Sequence, residues 1–119
     1  VKTARRTETP NAQLDSLATP SLGSKELSTW RVTMQPGAQG PVHIIDREQV
    51  WMPLSGSLEF IVDGEGTVAG PGQAVILPAG VVRQVKVADG PAEAMVCMAV
   101  GGHALAPGND ERHPLPWAE

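Results

Sequence analysis

The sequence predicts an all-β sandwich or closed barrel, and three observations carry the prediction. Apolar and polar residues alternate in short runs, the period-two signature of a strand with two unlike faces. Glycine and proline, 13 and 11 of the 119 residues, fall between those runs and read as turn punctuation. No run of ten or more residues has a convincing helical period. A chain of 119 residues has room for one core, so a single domain is expected.

The elements follow in order. Residues 1–13 are polar and aperiodic, and Leu14, Leu17 and Leu22 could tack this stretch to the body. Residues 1–25 are therefore expected as an N-terminal arm or outer strand. From Glu26 the chain alternates through Trp30, Val32 and Met34 until Pro36-Gly37 ends the strand. Gly40-Pro41 opens the short run Val42–Ile45, and Glu48–Leu54 follows, closed by Ser55-Gly56. Ser57–Val62 leads into Asp63-Gly64, a strong hairpin signal. Thr67-Val68 and Gln73–Leu77 are short strands separated by Gly70-Pro71-Gly72. Pro78-Ala79-Gly80 turns the chain into a last hairpin, Val81–Val87 with Ala94–Val100, joined through Asp89-Gly90-Pro91. The barrel thus spans 26–101, and 102–119 is expected as a polar, Pro-rich C-terminal tail in which His103 and His113 are solvent-facing.

Composition narrows the function. With 13 Asp and Glu against 9 Lys and Arg, the net charge of −4 argues against nucleic acid as a partner. Cys97 is the single cysteine, which forbids an internal disulfide and suits a reducing compartment. Its place in an apolar run predicts a buried, inert thiol. Lys2, Arg5 and Arg6 precede no apolar segment of signal-peptide type, and no stretch is long enough for a membrane-spanning helix. A cytoplasmic protein with no membrane partner is expected.

The segment Gly37–Val87 resembles the cupin superfamily. Gly37, His43 and Gly56 fall at the spacing of that family's first motif, and Gly72, Pro78 and Gly80 at that of its second. The resemblance implies a double-stranded β-helix, a jelly-roll-like β-barrel, with the motif residues facing the interior. It also implies a divalent metal on two histidines, a glutamate and a third histidine. Counted along the motifs, those four positions are His43, Ile45, Gln49 and Arg83. Ile45 cannot ligate, Gln49 is an uncharged donor, and Arg83 sets a permanent cation where a ligand belongs. No cofactor is therefore expected. If a metal is present, His43 with Gln49 or Glu48 would hold it. Glu48 would enter through a one-residue bulge, with His103 as a possible third ligand.

Strand parity lists the interior. His43 brings in Ile45, Gln49 brings in Trp51 and Pro53, and Arg83 brings in Val81, Val85 and Val87. Trp30 and Phe60 are further candidates for the lining. The result is a mostly apolar cavity for a small organic, anionic molecule. A buried guanidinium needs a partner, with Glu48, Asp46, Glu59 or a ligand anion as candidates for Arg83. In the functional reading His43 is the general acid or base, and Arg83 and Gln49 stabilise charge on an oxygen. Trp51, Ile45, Val81, Val85, Phe60 and Trp30 would contact the ligand. His43, Gln49 and Arg83 converging on an apolar pocket point to a metal-independent isomerase, cyclase or lyase, and small single-domain cupins include cyclases and isomerases of natural-product pathways. The alternatives are a non-catalytic ligand-binding or sensing module and a metal enzyme with a rearranged ligand set. A homodimer is expected, with residues 1–35 or a sheet edge as the pairing surface.

Overall fold

A computed structural model describes residues 3–119; Val1 and Lys2, at the start of the expected arm, lie outside it. Ten strands alternate with tight turns: β1 (Arg5–Glu8), β2 (Gln13–Ala18), β3 (Leu27–Met34), β4 (His43–Ile45), β5 (Gln49–Val62), β6 (Glu65–Ala69), β7 (Val75–Leu77), β8 (Val82–Ala99), β9 (His103–Leu105) and β10 (His113–Pro114). Two single 3-10 turns, Pro20–Leu22 and Pro116–Ala118, are the sole helical pieces among the described residues. All pairings are antiparallel. No helix of the described residues is long and apolar enough to cross a membrane.

The long strands β5 and β8 pair along nearly their whole length and bend together, so each serves two layers. One layer runs β1-β2-β3-β8-β5-β7 through the first half of β5 and the second half of β8. The other runs β6-β5-β8-β4-β9-β10 through the remaining halves. The inner faces carry the core, with Trp30, Val32 and Met34 from β3 and Leu58 and Phe60 from β5 almost fully buried.

Two expected turns do not reverse the chain. Ser55-Gly56 lies inside β5, and Asp89-Gly90-Pro91 lies inside β8. The ladder between them shifts register from Pro53 to Leu58, opposite Ala94 to Val87. Such bulges bend a strand without ending it, and they use the same residues as turns. Gly56 is required there: its φ is +65°, and a Cβ would sit 2.4 Å from the Pro91 carbonyl oxygen. By contrast Asp63-Gly64 is a true two-residue hairpin, with Val62 opposite Glu65 and both turn residues at positive φ.

The segment expected as an arm or outer strand supplies two outer strands, and the segment expected as a tail also belongs to the sheets. β1 and β2 extend one layer and β9 and β10 the other, while Leu115 and Ala118 are buried. The final turn is fastened by buried serines: Ser16 Oγ donates to the Trp117 carbonyl at 2.6 Å and Ser28 Oγ to that of Ala118 at 2.6 Å. Cys97 is only partly buried, because its neighbours Val96 and Met98 take the inner face of β8.

Candidate functional site

A cavity of about 440 Å³ lies between the two layers. Period two in β4, β5 and β8 turns His43, Ile45, Gln49, Trp51, Arg83 and Val85 toward it, and β3 contributes Trp30. His43 and Arg83 face each other across the β4–β8 ladder. Pro53 and Val87, expected inside by parity, are not part of the wall, and two of the expected ligand contacts are elsewhere. Phe60 is buried behind Trp51, edge-on to it with ring centroids 5.6 Å apart. Val81 precedes β8, outside the regular alternation, and is not part of the wall.

Arg83 is the centre of the site. It is 4% exposed, and its Nη2 donates to Gln49 Oε1 at 2.7 Å. Its Nε and Nη1 have no partner among the described residues. None of the three expected carboxylates reaches it. Asp46 instead accepts from the His103 backbone N–H at 2.6 Å and from Arg112 Nη1 at 3.2 Å. Glu48 is exposed just before β5, and no ion pair joins Glu59 to Arg83. Burial pushes the Arg83 guanidinium down to about 10, well below the usual arginine range.

Gln49 works differently from the expectation. Its Oε1 accepts from both Arg83 Nη2 and Trp51 Nε1, the latter at 3.0 Å, while its Nε2 is directed at Met98 Sδ at 3.5 Å. The carboxamide oxygen is therefore taken up by two protein donors. It orients the guanidinium and the indole relative to each other.

His43 Nδ1 donates to the Pro41 carbonyl at 2.8 Å. In the neutral ring this assigns the proton to Nδ1 and leaves a lone pair on Nε2. Burial, and secondarily the charge of Arg83, hold its pKa below the usual 6.5, against a smaller opposing effect of the Pro41 carbonyl. His43 is thus a neutral base beside a fixed cation.

The bulge that would have turned Glu48 inward is not present, since Gln49 is the buried residue of the pair. His103 lies 3.5 Å from Asp46 through Nδ1 and takes no part in the cavity wall. No group of three or more His, Cys, Asp or Glu gathers among the described residues. At the motif positions, Gln49 Oε1 is occupied by two donors, Ile45 offers nothing, and Arg83 is cationic. This donor set does not fit a divalent metal.

Sequence reasoning missed the mouth of the cavity. The loop Thr9–Ala12 between β1 and β2, Leu105 of β9, His113 of β10, and Leu115 and Trp117 all line it. Ile45, Ala104 and His113 stand in register across β4, β9 and β10. The signal was present: Leu115 and Trp117 are large apolar residues in a stretch otherwise rich in proline and charge.

An antiparallel double-layered barrel with its polar groups inside one end is the arrangement of the cupins. Residues 30–101 match the cupin domain family, and the chain belongs to it. Over 70 residues the chain is 37% identical to homogentisate 1,2-dioxygenase of Rhodopseudomonas palustris (strain BisA53), a match covering 59% of this chain and 15% of that protein. The chain therefore spans a small part of the length of that relative. The structure superposes on the DMSP lyase DddQ of Ruegeria pomeroyi DSS-3 with a TM-score of 0.76 at 22% identity, covering 91% of this chain and 63% of that one. It superposes on the oxalate decarboxylase of Bacillus subtilis, a protein with Mn(II) centres, with a TM-score of 0.70 at 16% identity, covering 81% and 27%. At these identities the two likenesses establish the fold.

Proposed function

We propose that this cupin barrel binds a small organic anion in its apolar interior and acts on it by metal-independent proton transfer, as an isomerase, cyclase or lyase. The single observation that carries the reading is Arg83, a buried guanidinium with no carboxylate partner on the wall of an apolar cavity. A cation in that setting is costly to the fold and gains most from an incoming anion. His43 Nε2 is the acid or base, placed across one ladder rung from the charge that would stabilise an enolate. The likeness to a lyase is compatible with such chemistry.

The experiment has two parts. Calorimetric titration compares small monocarboxylates with their neutral amides, on the wild type and on Arg83→Met. The acids bind the wild type at least tenfold more tightly than the amides, and Arg83→Met removes the difference; equal affinities contradict the reading. Deuterium uptake from D2O into a bound, enolisable acid then reads proton transfer, and His43→Ala abolishes it. Binding without uptake would mark a ligand-binding module instead. Metal analysis of protein purified without chelators tests the remaining alternative, since stoichiometric metal would contradict the donor set above.

The protein acts as a homodimer in this reading. Met52, Leu54 and Ile76 are exposed together on the outer face of β5 and β7, a surface suited to a second copy. Sedimentation velocity of the wild type against Ile76→Glu reads the pairing.

A further inference from the structure

The chain holds four aromatic residues, three tryptophans and one phenylalanine, and no tyrosine. All three tryptophans line the one cavity that holds Arg83: Trp30 from β3, Trp51 from β5 and Trp117 from the final turn. They come from distant parts of the sequence, so this convergence is a property of the fold. Phe60 packs behind Trp51 at an interplanar angle of 75° and fixes its plane. Elsewhere the core is filled by Leu58, Leu77, Val96 and Met98, without any indole.

From this we infer that the ligand is a planar aromatic or conjugated monoanion, with its ring against the indoles and its anionic group on Arg83. The inference rests on the reading of Arg83 as an anion anchor. Gln49 Oε1 holds Arg83 and Trp51 through one atom, so the cation and that indole keep a fixed mutual position. A ring whose anionic group reaches Arg83 is then within reach of Trp51. Arg83 is the sole Lys or Arg among the described wall residues, and no Asp or Glu lines the cavity, which matches one negative charge. The volume of about 440 Å³ is at the small end for ligand pockets and suits a ligand of one or two rings.

Aromatic contacts add to the area they bury, through edge-to-face or offset geometry, by an amount that corresponds to roughly 2–10-fold in affinity. A merely greasy cavity would rank ligands by apolar area alone and favour a saturated ring. The two cases predict opposite orders.

The test titrates three probes by calorimetry: trans-cinnamate, 3-cyclohexylpropanoate and cinnamamide. The proteins are the wild type, Arg83→Met and Trp117→Leu, the last at a half-buried indole of the final turn. Trans-cinnamate binds the wild type several-fold more tightly than 3-cyclohexylpropanoate, and Trp117→Leu narrows that gap. Equal or reversed affinities of the two acids, both lost in Arg83→Met, would overturn the aromatic inference and leave the anion reading standing. Acids that bind no better than cinnamamide would overturn the anion reading itself. Failure of both acids to bind at millimolar concentration would overturn both.

Discussion

At the residue scale, the site is built around a cation. Gln49 is an acceptor for Arg83 and Trp51. The identity of these residues was legible from the spacing of Gly56, Gly72, Pro78 and Gly80. Their partners were not, because an amide gives no sign in sequence of which hydrogen bonds it will make. His43 gives a pH prediction. Its folded pKa is lowered, so the unfolded chain binds the proton more tightly. The stability that comes from keeping His43 neutral is complete above 6.5 and is lost as the pH falls through the lowered folded value. Urea midpoints between pH 7 and 5 should therefore fall more steeply for the wild type than for His43→Asn. Parallel curves would show that His43 is not held neutral.

At the element scale, glycine and proline marked most boundaries correctly and misled at two. Asp63-Gly64 reverses the chain, whereas Ser55-Gly56 and Asp89-Gly90-Pro91 bend strands that continue through them. Local composition is alike in both cases, and the difference is whether a partner strand bends alongside. Pairing of β5 with β8 decides it, and that is a long-range contact. The bend has a steric signature that mutation can read. Gly56→Ala meets the Pro91 and Asp89 carbonyl oxygens at 2.4 and 2.6 Å, while Gly72→Ala, also at positive φ, meets nothing within 4 Å. Gly72→Ala should cost only the left-handed backbone term of about 1–2 kcal/mol. Gly56→Ala should cost clearly more and lower the melting temperature by roughly 10 °C or more. Equal losses in thermal denaturation would mean that the two strands do not approach as described.

At the scale of the whole molecule, segments early and late in the described residues are built into the binding region. The loop after β1 and, beyond β8, Leu105, His113, Leu115 and Trp117 complete the cavity wall. These segments were opaque in sequence because each strand is short, Arg5–Glu8 with four residues and His113–Pro114 with two, too brief to display a period. What the assembled barrel contains is an energetic imbalance. Burial lowers the Arg83 pKa to about 10, which corresponds to a cost of roughly 3 kcal/mol at neutral pH, relieved only as the pH rises through that value. A fold keeps such a group when a ligand needs it. The most direct measurement is the melting temperature of Arg83→Met beside the wild type at pH 7, with and without the aromatic monoanion trans-cinnamate. Free Arg83→Met should melt at or above the wild type and gain nothing from the ligand, which raises the wild-type midpoint. A free variant that melts well below the wild type would show that Arg83 serves the fold, and would contradict the account.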